Sequence, residues 1–267
     1  MSETGEKYGP EKVTEDLKES LFYPFNLEGE YNAEYVQFLI DLHHELLKRK
    51  DYVGLIPAGS QFAGYSNSHS DFDVEIIADD PSFDSYSEAD SGFGTASELI
   101  NVANDVAKKY GQKVLIDQEL HVHPLNYFIS DFKTKADKGN FSGSLSYLVR
   151  PIIGRQEVIS SLFEMARNKC QKVSKEKLEK EKKCTVFHCL DSDFGGAVSL
   201  IMSQITSNVD KESRNLEWNK PFSKMLRRGF SMEQIKEIFE ARKQMWQKRI
   251  EDFINQTGPF APEVSKL

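Results

Sequence analysis

The stretch Gly59-Ser60-Gln61-Phe62-Ala63-Gly64-Tyr65-Ser66-Asn67-Ser68-His69-Ser70-Asp71-Phe72-Asp73-Val74 decides how this chain reads. It follows the apolar run YVGLIP at 52–57 and leads into DFDVEIIA at 71–78. Pro57 and Gly59 break the first run, which reads as a buried strand entering a tight turn. QFAGYSNSHS is turn-rich and polar, and DFDVEIIA opens with the period-two alternation of a second strand. Asp71 and Asp73, two apart in a strand, face the same side. Two same-side carboxylates repel unless a positive group sits between them, and a divalent cation is the usual answer. Oxygen-only ligands suit magnesium or manganese rather than zinc. Upstream, a glycine directly after a strand lets the backbone approach a phosphate closely, and a helix opening at that turn aims N–H groups at an anion. A phosphate cradle joined by a short connection to metal carboxylates is an arrangement for a nucleoside triphosphate. A lone Asp-x-Asp is usually a solvated edge or cap, and a lone Gly-Ser is usually a turn. In the order strand, turn, strand, the functional reading dominates.

This segment resembles the nucleotidyltransferase signature of the DNA polymerase beta superfamily, in its antibiotic and minimal nucleotidyltransferase forms. That signature is a Gly-Ser after a strand, a further Gly, then Ser-Asp-x-Asp at the next strand. Gly59, Ser60, Gly64, Ser70, Asp71 and Asp73 stand at those positions, and the resemblance covers roughly residues 35–125. Two residues depart from the pattern: Phe72 stands where a small aliphatic is commoner, and Glu75 where an apolar residue is usual. The superfamily needs a third carboxylate on a neighbouring strand. QKVLIDQELHVHP, at 112–124, reads as that strand, with Asp117, Glu119, His121 and His123 on one face by alternation. Alternation cannot choose among them. Glu119-Leu-His-Val-His-Pro-Leu looks like the acid, strand, Pro-Leu ending of small-molecule nucleotidyltransferases, so the resemblance makes Glu119 the third ligand and Asp117 the runner-up. It implies two magnesium ions held by Asp71, Asp73 and Glu119. Triphosphate would bind at Gly59, Ser60 and Ser70, with ATP or another NTP as substrate. His121 and His123 could touch phosphate or substrate, but the simpler reading is polar residues lining the same open face.

Working outward, AEYVQFLIDLHHELLKRK at 33–50 carries Tyr35, Phe38, Leu39, Leu42, Leu46 and Leu47 at helical spacing, with Asn32 as its cap. His43 and His44 read as helix-surface residues. Residues 11–22 read as a charged helix, and 79–97 as an acidic, Ser-rich surface insertion. ELINVANDVAKKY reads as a helix stopped by Gly111. Beyond Pro124 the pattern turns helical, with a Lys/Glu run at 174–183 that reads as a solvated helix face. Further helices are expected near 193–208 and 231–255. The expected fold is α+β: a small mixed nucleotidyltransferase sheet flanked by helices, then a mainly helical C-terminal domain. The division expected is a catalytic domain at 1–135 and a helical domain at 136–267.

Composition narrows the function classes. Among 267 residues, 34 basic against 42 acidic side chains give a net charge of −8, which disfavours bulk nucleic acid as a partner. No apolar run is long enough to span a membrane, and the polar start MSETGEKYGPEK has no signal core. Three cysteines argue against a disulfide framework, and a cytoplasmic setting is the expectation. Cys170, Cys184, His188 and Cys189 match no standard zinc spacing, and buried thiols are the simpler reading. Gly92-Phe93-Gly94 lacks the strand–helix context of a dinucleotide loop. Arg150 and Arg155 could reach a triphosphate or form structural salt bridges, and Lys224, Arg227 and Arg228 form a small basic cluster. The function expected is metal-dependent transfer of a nucleoside monophosphate, AMP from ATP, to a hydroxyl of a small molecule, with pyrophosphate released. The alternatives are transfer to RNA or protein, or an inactive nucleotide-binding module.

Overall fold

The computed structural model describes residues 33–63, 72–79, 95–111, 122–133, 140–194 and 230–256. The fold is α+β, a four-stranded mixed sheet with flanking helices followed by a mainly helical C-terminal region. The elements in chain order are α1 (Ala33–Leu46), β1 (Tyr52–Pro57), α2 (Gly59–Ala63), β2 (Val74–Ala78), α3 (Thr95–Lys109) and β3 (Val122–Pro124). After them come α4 (Leu125–Lys133), α5 (Ser142–Leu148), β4 (Ile153–Gly154), α6 (Gln156–Lys172), α7 (Lys175–Asp193) and α8 (Met232–Asn255).

The sheet order is β3-β2-β1-β4. β1 runs antiparallel to both β2 and β4, while β2 and β3 are parallel. The fourth strand therefore comes from beyond residue 135. All residues of β1 and β2 are buried, as expected of interior strands covered on both faces.

α1 forms because Tyr35, Phe38, Leu39, Leu42 and Leu46 make one apolar stripe, all of them buried. It packs on α3 and β1. His43 corrects the surface reading given to it. It lies four residues after Leu39 and three before Leu46, on the buried stripe. Its Nδ1 lies 2.8 Å from the Tyr52 hydroxyl, which itself donates to the Ile153 carbonyl at 2.9 Å. With the Tyr52 proton so committed, Nδ1–H is the donor to the Tyr52 oxygen. Burial, with His44 and Arg155 nearby, lowers the His43 pKa to about 4. His44 is more exposed.

α3 ends at Lys109, and Gly111 takes φ +66 just beyond, as the sequence led one to expect. The helical run from 156 onward breaks at Val173, where Ser174 caps α7 by accepting from the Lys177 N–H. Lys175, Glu176, Glu179 and Lys180 are exposed, so the Lys/Glu run is a solvated face. Glu181 is its exception, buried and accepting from the Phe141 N–H at 3.0 Å. α8 begins with a capping box between Ser231 and Gln234. Asn32, the helix at 11–22, most of the insertion with Gly92 and Gly94, the helix expected at 193–208 apart from residues 193–194, and the cluster of Lys224, Arg227 and Arg228 lie outside the described residues. Among the described residues, no helix is long and apolar enough to cross a membrane.

Candidate functional site

β1 and β2 meet at the segment where the sequence places its chemistry. Pro57 pairs with Val74, and one step further the Ala58 N–H reaches the Asp73 carbonyl at 3.3 Å. Tyr35, on α1, donates its hydroxyl to the same carbonyl at 2.6 Å, and the Ala58 N–H also lies 3.3 Å from that hydroxyl oxygen. A buried tyrosine thus pins the end of β1 to the residue that enters β2. Its spacing marked it only as a core position.

Gly59 opens α2 directly after β1 with φ +68. L side chains rarely adopt this conformation. A Cβ placed there would fall 2.5 Å from the Asp73 Cβ and closer still to its carboxylate. Glycine is therefore required at 59 for two separate reasons, its dihedral and the Asp73 side chain packed across it. The turn after the first strand and the second aspartate of Asp71-Phe72-Asp73 occupy one place.

Phe72 points away from this place. It is 1% exposed, with its ring 5.4 Å from Tyr35, 5.1 Å from Phe38 and 6.1 Å from Tyr110. The aromatic at 72 is an anchor in the core formed with α1, and it fixes the facing of its neighbour: with Phe72 inward, Asp73 turns toward Gly59. Asp73 itself lies just ahead of β2, which starts at Val74 rather than at 71.

Of the expected ligands, Asp73 alone is among the described residues. Asp71, Glu119 and its runner-up Asp117 lie outside them, as do Gly64, Ser70, His121 and the side chain of Ser60. Among the described residues no three His, Cys, Asp or Glu side chains gather as a metal group. What is present fits a hard cation: the donor is a carboxylate, held against a backbone stripped of any Cβ.

Glu75 follows Asp73 by two, on the same face. It is 7% exposed, in an interior strand, and accepts from His123 Nε2 at 2.7 Å. The Arg150 Nη1 lies 3.6 Å away on the other carboxylate oxygen. His123 is 2% exposed, so it is a buried partner of Glu75 rather than a residue of an open face. Arg150 belongs to a salt bridge, the second of the two roles considered for it. Arg155, at the start of α6, donates to the carbonyls of Tyr52 at 2.7 Å and Arg49 at 2.8 Å, holding the α1–β1 connection.

The cysteines are free. Burial pushes the thiols of Cys170 and Cys189 up to about 12. His188, beside Cys189, is exposed, so these residues do not converge on a zinc.

No family model, no curated protein and no solved structure matches this chain.

Proposed function

We propose that the protein is a metal-dependent nucleotidyltransferase, transferring a nucleoside monophosphate, AMP from ATP, to a hydroxyl of a small-molecule acceptor. The observation that carries this reading is the packing of Asp73 across Gly59. It joins the two halves of the motif, the glycine turn suited to phosphate and the carboxylate suited to a cation. The motif's resemblance to the polymerase beta superfamily supports the same reading.

In the reaction, the acceptor hydroxyl oxygen forms a bond to the α-phosphorus. The bond from that phosphorus to the oxygen bridging the β-phosphate breaks. Pyrophosphate leaves with the electron pair, and the hydroxyl proton passes to solvent. Magnesium or manganese, when bound, supplies charge neutralisation and a lowered hydroxyl pKa. Asp73 would hold it together with Asp71 and a third-strand acid. Gly59 and the backbone N–H groups of α2 would hold the triphosphate.

The resemblance of Glu119-Leu-His-Val-His-Pro-Leu to the acid, strand, Pro-Leu ending favours Glu119 as that acid, with Asp117 the runner-up. β3 pairs in parallel with β2 at Ile76–Val122, Ile77–His123 and Ala78–Pro124, a constant offset of 46. The net charge of −8 favours a small acceptor over RNA, and the cytoplasm is the proposed setting.

The test is incubation of the purified protein with magnesium, each of the four nucleoside triphosphates and a panel of hydroxylated small molecules. Pyrophosphate release and product mass are the readouts. Transfer that is present in the wild type and absent from Asp73→Ala is expected. Equal transfer by both would overturn the reading.

A further inference from the structure

We infer that Glu75, His123 and Arg150 form a buried charged hub that positions the separate parts of the nucleotidyl-transfer site, a role that rests on the function proposed above. The three side chains come from three elements. Glu75 is on β2, two residues after Asp73. His123 is on β3, the strand whose upstream sequence carries Glu119. Arg150 follows α5 and reaches back to Glu75 at 3.6 Å. The Arg150 guanidinium also lies 5.8 Å from the Phe62 ring, and Phe62 belongs to α2, the helix that Gly59 opens. On its other sides stand the rings of Tyr147 at 5.9 Å and Trp246 at 5.9 Å. Trp246 anchors α8 by donating to Asp193 at 2.6 Å. The hub therefore touches the strand that Asp73 leads into, the neighbouring strand and the turn that Gly59 opens.

The chemistry of the hub is a poor way to hold a fold together. Arg150 is 1% exposed, and its Nε and Nη1 make no hydrogen bond. A buried ion pair with unfilled donors is commonly replaceable by apolar residues of similar volume with no loss of stability. Apolar residues would also satisfy an interior strand whose other four residues are Val74, Ile76, Ile77 and Ala78. What they could not supply is direction. The 2.7 Å bond from His123 to Glu75 fixes β3 against β2 laterally and in register, where apolar contact tolerates slip. A site that needs carboxylates from two strands on one cation depends on that register. These are positioning residues: none is assigned a contact with the nucleotide.

The experiment separates positioning from folding. The variant Glu75→Met/His123→Phe/Arg150→Met exchanges the hub for apolar side chains and removes the Glu75 and Arg150 charges together. Melting temperature is measured on the full chain. Manganese affinity is measured by electron paramagnetic resonance in the presence of α,β-methylene-ATP, and pyrophosphate release is measured with ATP and the acceptor panel. The expected result is a melting temperature at or above that of the wild type, with manganese affinity and release rate each down about tenfold or more, the scale of a misplaced ligand. Wild-type manganese affinity and release in a stably folded triple variant would overturn the hub. If the triple variant fails to fold, Glu75→Gln decides. It keeps the shape and an acceptor for His123 but drops the charge facing Arg150, and it should lose at least fivefold in manganese affinity. Unchanged affinity there would also overturn the hub. Failure of the parent reading looks different: wild type and Asp73→Ala would bind manganese alike and neither would release pyrophosphate, and the hub's role would fall with it.

Discussion

Replacing Gly59 by alanine should damage both fold and activity, and the two losses have separable causes. The first is the backbone. At φ +68 an alanine is held in the left-handed region, which costs about 1–2 kcal/mol. The second is steric. The new Cβ would fall 2.5 Å from the Asp73 Cβ, where apolar carbons normally sit about 3.5–4.0 Å apart. No rotamer of Asp73 relieves this, because a Cβ does not move with χ1. The backbone at 73 must withdraw by roughly 1 Å, overpacking of a kind that costs about 1–3 kcal/mol. The sum is about 2–5 kcal/mol, and for a chain of this size each kcal/mol lowers the melting temperature by roughly 2–4 °C.

Under the proposed reaction, in which the Asp73 carboxylate meets a cation, a withdrawal of about 1 Å should lower turnover by about 100-fold. Calorimetry and single-turnover pyrophosphate release on the Gly59→Ala variant measure the two effects. Double variants then identify the cause. Asp73→Ala keeps the Cβ, so Gly59→Ala/Asp73→Ala should recover little of the stability lost to the overlap. Asp73→Gly removes the Cβ, so Gly59→Ala/Asp73→Gly should show a favourable coupling of about 1–3 kcal/mol while remaining inactive. Two results would refute the reasoning. One is a Gly59→Ala variant with wild-type melting temperature and turnover; the other is an equal coupling of Gly59→Ala to alanine and to glycine at 73.

Stability should fall as pH drops from about 6.5 to about 4, because His43 is held neutral in the fold with its pKa lowered to about 4 while the unfolded chain takes up a proton from 6.5 downward. The full effect is about 3 kcal/mol, and the pH dependence of urea midpoints should flatten over this window in His43→Asn. In the native protein, Ellman's reagent should react quickly with Cys184 and slowly with Cys170 and Cys189, whose thiols are pushed up to about 12 by burial. Rapid labelling of all three would contradict the packing around α6 and α7. A zinc-selective chelator should leave activity intact while EDTA removes it. Glu119→Gln should slow single-turnover transfer more than Asp117→Asn does, and the reverse order would make Asp117 the third acid.

Much of the sheet was readable because its strands are short apolar runs punctuated by Pro57, Gly59 and Pro124. Helices α1, α3 and α8 were readable from their stripes and stop signals. The misreadings have one origin: periodicity assigns a face, and only packing says what covers that face. His43 sits on the stripe of α1, yet a histidine there looks polar until the Tyr52 hydroxyl is found beside it. His123 alternates with Val122 and so was placed on an open face, but that face is covered by Tyr147, 4.5 Å away, and by Arg150 beyond Glu75. β4 is two residues long, too short to carry any period.

The same limit governs the site. Gly59 and Asp73 could be joined from sequence because they stand only fourteen positions apart, just beyond the end of one expected strand and at the start of the next. Glu75 and Arg150 could not, because 75 positions separate them and nothing in Tyr147-Leu148-Val149-Arg150 names its partner. The one local sign was a mismatch, a glutamate in the otherwise apolar run VEIIA. A charge in an interior strand must find a counter-charge or lose its proton equilibrium to burial. That requirement points to a buried cation somewhere distant in sequence, and the chain has 34 candidates. Folding selects Arg150, and in doing so it ties the start of the C-terminal helices to the strand that Asp73 leads into. Glu75, the residue that departed from the nucleotidyltransferase signature, thus joins the two halves of the chain alongside the β1–β4 pairing and the Tyr52–Ile153 bond.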